Sequence, residues 1–197
     1  MKSLCVYCGS SVGASPAYAD AARELAQLMV GQDIALVYGG GNVGLMGVIA
    51  DEVMRLGGHV TGVIPQALMD KEVGHRGLPR LHIVKDMHER KALMAELSDG
   101  FVAMPGGIGT LEELFEVFTW AQLGFHEKPI GLLNAAGFYD GLIAFLDHVV
   151  AQRFLRREQA SVLLHDASPP ALLQKMKDFR PQYFEKIVDR ATAAKII

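Results

Sequence analysis

The stretch 100–124, GFVAMPGGIGTLEELFEVFTWAQLG, decides the fold. Gly100–Met104 is a short apolar run with the length and composition of a buried strand. Pro105-Gly106-Gly107 ends it, and from Thr110 onward Leu111, Leu114, Phe115, Phe118 and Ala121 recur at helical spacing. A strand that passes through a glycine turn into a helix is half of a βα unit, and the pattern repeats along the chain. Strands are predicted at 3–8, 34–38, 59–64, 81–84, 100–104, 129–133 and 161–165. Helices are predicted near 16–31, 44–56, 87–97, 110–124, 137–153 and 169–178. The caps agree: Ser15-Pro16 reads as an N-cap followed by proline at the first helical position, and Gly57-Gly58 as a C-terminal stop. Strands apolar on both faces require cover on both sides, and the right-handed crossover rule then gives a Rossmann-like, doubly wound parallel sheet of about seven strands, an α/β fold. Residues 1–180 are expected to form one domain and 181–197 a charged C-terminal extension.

Composition narrows the function. At 197 residues with 50% hydrophobic side chains, the chain can bury roughly 70% of its unfolded surface without disulfides or a structural metal. The net charge of −3 gives no case for nucleic acid as a partner. No apolar stretch reaches the roughly 18 residues of a bilayer span, so no membrane partner is expected, and a cytoplasmic address is. Cys5 and Cys8 form C-x-x-C, but on a strand positions i and i+3 face opposite sides about 10 Å apart, too far for a disulfide. No second cysteine pair completes a zinc site, so both are read as buried core residues and no metal is expected.

Ligands of such sheets bind beyond the carboxyl ends of the strands, so the loops after strands hold the candidate chemistry. After the second strand, Gly39-Gly40-Gly41-Asn42-Val43-Gly44 fits G-x-G-x-x-G and is read as a phosphate or nucleotide loop, with Gly41 a candidate contact, the alternative being a purely structural tight turn. An NAD site is not expected, because the next strand ends Val63-Ile64-Pro65 without the acid that holds a ribose. After the fifth strand, Gly106, Gly107 and Gly109 precede Thr110 at a helix start, a second anion cradle. The same residues support a plainer reading, in which Thr110 and Glu113 form a T-x-x-E capping box. Arg90 and Lys91 sit in the first turn of a helix, where cations oppose the dipole: either an anion compensates them or they form a solvated face. Gly9-Ser10-Ser11-Val12-Gly13 matches G-x-S-x-G, but its helix begins too late for a nucleophile elbow.

Together PGGIGTLEE, MHERK, YGGGNVGLMG and TWAQLG resemble the LOG (LONELY GUY) family of cytokinin riboside 5'-monophosphate phosphoribohydrolases, often labelled lysine decarboxylases, over about residues 2–180. The resemblance implies a single nucleotide-binding domain that hydrolyses the N-glycosidic bond of cytokinin riboside 5'-monophosphates, and of AMP, to free base and ribose 5-phosphate, with no cofactor. It implies Arg90 and Glu113 as catalytic and Lys91 as a nucleotide contact. The run Gly107, Ile108, Gly109, Thr110, Leu111, Glu112 and Glu113, with Gly106 before it, would cradle phosphate and ribose. Glu72 would reach the adenine end, and Thr119 is implied as a further contact. Ile108 stands where plant members often have Tyr. A non-catalytic nucleotide or molybdopterin-type binding protein of the same fold is the alternative.

Thr119 lies about 240° round the helix from Glu113, which suggests a site completed by a second subunit. Helix 110–124 is also apolar over more of its circumference than one sheet-facing stripe needs, so a homodimer is expected, the alternative being a helix fully buried within one chain.

Overall fold

The computed structural model describes residues 1–71 and 74–181. Seven strands are present: β1 (Ser3–Tyr7), β2 (Ala35–Tyr38), β3 (Val60–Pro65), β4 (Arg80–Val84), β5 (Phe101–Ala103), β6 (Ile130–Leu133) and β7 (Leu163–Asp166). The helices are α1 (Pro16–Gly31), α2 (Gly44–Arg55), α3 (Gln66–Met69), α4 (Met87–Glu96), α5 (Ile108–Gln122), α6 (Asp140–Ala151), α7 (Arg157–Ala160) and α8 (Pro169–Asp178). The strands form one sheet in the order β4-β3-β2-β1-β5-β6-β7, and every pairing is parallel. The expected extension, apart from Pro181, lies outside the described residues, as does Glu72.

Alternation along the strands divides the core in two. Leu4, Val6 and Cys8 join a cluster with residues of α1, α2 and α8, while Cys5 and Tyr7 join a second cluster with residues of α4 and α5. Helices therefore cover both faces, which is why the strands are apolar throughout. Cys5 and Cys8 are free, buried and directed to opposite faces.

The strand order reverses between β1 and β5. Neighbouring crossovers leave in opposite directions there and open a crevice at the strand ends. That crevice is a cavity of about 260 Å³ lined by Gly9–Gly13 after β1 and by Pro105, Gly106 and Gly107 after β5, with Tyr18, Leu45 and Phe138 completing it. Backbone bonds knit its floor: Gly9 N–H donates to the Pro105 carbonyl at 3.0 Å, and Leu45 N–H to the Gly9 carbonyl at 3.0 Å.

Candidate active site

The site begins at α5. Its N-cap is Gly107, with no side-chain cap bond, and the Leu111 N–H makes the first helical bond, to the Gly107 carbonyl at 3.1 Å. The helix thus starts two residues earlier than the sequence suggests. Gly109 does not stop it, because Gly107 already supplies the extended cap conformation and the turn needs no polar side chain. Thr110 is then inside the first turn rather than at the cap, and the T-x-x-E capping box is not formed. The N–H groups of Ile108, Gly109 and Thr110 have no partner within the helix. Cβ positions built on Gly107 and Gly109 meet nothing within 4 Å, and Ile108 is 81% exposed. This helix end is an open, electropositive surface at the crevice.

The other glycine loop differs. Gly41 is buried, and its backbone bridges Gly74. A Cβ on Gly44 would overlap the backbone of Ser10 and Ser11, and the nearby Leu45 N–H is already used by Gly9. Gly39, Gly40 and Gly41 are buried while Asn42 and Val43 are exposed, so the glycines of this loop pack against their neighbours, whereas the start of α5 is open.

One turn further along α5, Glu113 points inward and is 9% exposed. Its carboxylate Oε1 lies 3.5 Å from Nη2 of Arg90, which projects from the first turn of α4. Asp86 caps that helix, its Oδ1 accepting from the N–H groups of His88 and Glu89, both at 3.0 Å. The Arg90 guanidinium also donates from Nε to the Val63 carbonyl at 3.2 Å and from Nη2 to the Gly39 carbonyl at 3.4 Å. Arg90 is thus the tie between two strand ends and α5, not part of a solvated face. Burial pushes the Glu113 carboxyl up to about 7; the Arg90 charge pulls against that rise, and Glu112 adds to it. A carboxyl that titrates near neutrality can exchange a proton under ordinary conditions.

Lys91 behaves differently from its neighbour. Its Nζ lies 2.6 Å from Glu112 and 2.9 Å from Glu116. Burial opposes its charge, but the bonds to these two carboxylates prevail and hold the ammonium above its usual range. Lys91, Glu116 and Thr119 line a second cavity, about 420 Å³, with His88, Trp120 and Phe125. Thr119 donates to the Phe115 carbonyl of its own helix at 2.7 Å. The sequence candidates therefore fall into two groups. Gly106–Thr110, Glu113 and Arg90 gather at the strand ends, whereas Lys91, Glu112 and Thr119 sit on the outer side of the α4–α5 seam. Glu116 was missed, although its i, i+4 relation to Glu112 places both on one helix face. The carbonyls of Gly39 and Val63 had no signal, because backbone acceptors carry no residue type. Among the described residues no group of three His, Cys, Asp or Glu side chains could hold a metal ion, and no helix is long and apolar enough to cross a membrane.

Comparison with known proteins identifies the family. The family described as "Possible lysine decarboxylase" matches residues 46–176. The cytokinin riboside 5'-monophosphate phosphoribohydrolase LOG1 of Arabidopsis thaliana is 47% identical over 189 residues, 96% of this chain and 88% of that protein. LOG5 of Arabidopsis thaliana is 49% identical over 180 residues, 91% of this chain and 79% of that one. Among solved structures, the molybdenum cofactor binding protein of Rippkaea orientalis superposes with a TM-score of 0.68 at 21% identity, covering 90% of this chain and 97% of its own. The molybdenum cofactor carrier protein of Chlamydomonas reinhardtii gives 0.66 at 18%, covering 89% of this chain and 96% of its own. These two establish the sheet order and helix layers as a shared fold and nothing more. The level of identity and its extent are another matter: the chain belongs to the LOG family of cytokinin riboside 5'-monophosphate phosphoribohydrolases.

Proposed function

We propose that the protein hydrolyses the N-glycosidic bond of nucleoside 5'-monophosphates, cytokinin riboside 5'-monophosphates and AMP, to the free base and ribose 5-phosphate. The observation that carries this is the buried Glu113 carboxyl, raised to about 7 and 3.5 Å from Arg90 at the ends of the strands. Breaking the C1'–N9 bond leaves the electron pair on the purine and positive charge on the sugar ring, which a nearby carboxylate stabilises. Ionised Glu113 faces that charge and takes the proton of the water whose oxygen bonds to C1'; the departing purine is protonated from solvent. Arg90 holds Glu113 and contributes positive charge toward the ribose phosphate. The 5'-phosphate rests on the free N–H groups of Ile108, Gly109 and Thr110, with Gly106, Gly107 and Leu111 shaping the cradle. Glu72 serves the adenine end.

The description "possible lysine decarboxylase" implies pyridoxal phosphate, which needs an amine able to lose its proton and form an imine. Lys91, the lysine among the candidate site residues, does not fit: its ammonium is paired with Glu112 and Glu116 and held above its ordinary range. No step runs through that cofactor.

The working unit in this reading is a homodimer in the cytoplasm. Leu111, Phe115 and Trp120 on α5 and Leu123 at its C-terminal cap are only half-buried, and Trp120 and Leu123 line the outer cavity, so an apolar surface borders it. A second chain seated there would bring its own groups to Lys91, Glu112 and Thr119, which explains why these candidates lie apart from Glu113. Two free cysteines suit a reducing compartment.

The test is incubation of purified protein with AMP, isopentenyladenosine monophosphate and the corresponding ribosides, with base release followed by chromatography. Release from the monophosphates alone is expected. Binding without release would instead favour a carrier, and equal release from ribosides would remove the phosphate cradle from the mechanism.

A further inference from the structure

Gly39 follows β2 directly, and its backbone is buried. Its φ is not among the positive values found at Gly40 and Gly44, so the chain path does not call for glycine there. The demand comes from a side chain. A Cβ at Gly39 would overlap Nη2 of Arg90 and stand 3.0 Å from its Cζ. The guanidinium cannot simply step aside, since Gly39, Val63 and Glu113 hold it from three directions and its side chain is 11% exposed. We propose that Gly39 is a positioning residue for the reaction: the space left by its missing side chain seats the Arg90 guanidinium against the strand end and sets the Arg90–Glu113 separation. This rests on the hydrolase reading for its kinetic consequence, though not for its geometric one.

Gly39→Ala needs no positive φ, and the three atoms nearest its new Cβ all belong to the Arg90 guanidinium. It displaces the guanidinium by more than about 1 Å, because packed heavy atoms need roughly 3.5 Å of separation. The charged and titratable groups around Glu113 are Arg90 and Lys91 from α4 and Glu112 and Glu116 from α5. Cys5, Tyr7 and Cys8 lie on the β1 side. Only the Arg90 contribution changes in the variant. Losing it leaves burial less opposed, so Glu113 holds its proton to higher pH and less catalytic carboxylate is present at a given pH.

The experiment compares the wild-type protein, Gly39→Ala, Arg90→Ala and the double variant. The Glu113 carboxyl carbon is titrated by NMR, assigned with Glu113→Gln, and kcat and KM for AMP are measured from pH 6 to 9. In Gly39→Ala the Glu113 midpoint is expected to rise by about one pH unit, with kcat lowered about tenfold on the acidic side and less at high pH. In the Arg90→Ala background the same substitution should move the midpoint no further, since residues acting through one contact are non-additive. An unchanged midpoint in Gly39→Ala, or an equal change in both backgrounds, overturns the proposal. A wild-type protein without hydrolase activity would sink the hydrolase reading while the titration still decides the role of Gly39. If Gly39→Ala alone does not fold, folding of the double variant upholds the clash, and failure of both overturns it.

Discussion

Glu113→Gln separates the function of this carboxyl from its effect on stability. The native value of about 7 lies above the ordinary 4.5, so the folded protein holds the Glu113 proton more tightly than the unfolded chain does. The favourable contribution is complete below about pH 4.5 and is lost as pH rises through about 7. The gap corresponds to about 3 kcal/mol, of which about 2 to 3 kcal/mol is lost between pH 5 and pH 8. Gln has the shape of the protonated acid and does not titrate. Relative to wild type it should therefore gain that amount between the two pH values, whatever constant difference the altered bond to Arg90 introduces. For a domain of this size the gain is about 5 to 10 °C in Tm. Urea unfolding and calorimetry of both proteins at pH 5 and pH 8 measure it, with turnover on AMP measured in parallel. The expected result is a variant that is inactive and relatively more stable at pH 8. Parallel stability curves for the two proteins would show that Glu113 ionises normally in the fold, and the argument for a desolvated catalytic carboxyl would collapse.

The remaining expectations concern the surroundings of that carboxyl. In the proposed mechanism catalysis uses the ionised form, so kcat should fall tenfold per pH unit well below about pH 7; a flat profile from pH 5 to 8 would exclude Glu113 as proton acceptor. Lys91→Met strands Glu112 and Glu116 without their shared cation and should lower stability by about 1–3 kcal/mol in urea denaturation; no change would mean the seam does not depend on these pairs. Cys5 and Cys8 are buried, with burial pushing the Cys5 thiol up to about 12. The double alanine variant should keep its turnover, and native protein should resist thiol reagents; rapid labelling would contradict the buried positions. Sedimentation at low micromolar concentration should give a dimer, and mixtures of Glu113→Gln chains with inactive Thr119 variants should regain activity; a fully active monomer ends the shared-site proposal.

How much of this could be read from the sequence follows from the range of each interaction. The sheet was legible because each strand announces itself within a few residues: Ala35–Tyr38 and Ile130–Leu133 are apolar runs closed by glycine or asparagine, and burial on both faces leaves one architecture. Short elements such as α3 and α7, at four residues each, have no periodicity to detect. The site was legible in its glycines but not in its pairings. Whether T-x-x-E forms a capping box depends on a two-residue difference in where α5 starts, and local sequence does not fix that start. Arg90 and Glu113 meet only because α4 and α5 pack on the same face of the sheet around β5, a tertiary event with no local signature, so the pair came from family resemblance. Gly39 makes the same point in reverse. Read as one member of a G-x-G-x-x-G run, it suggests a ligand's phosphate, whereas the group it admits is the protein's own guanidinium. A glycine reports that something must come close to the backbone; which group does so is decided by the sheet order, and here that order places the charge of α4 beside the carboxylate of α5.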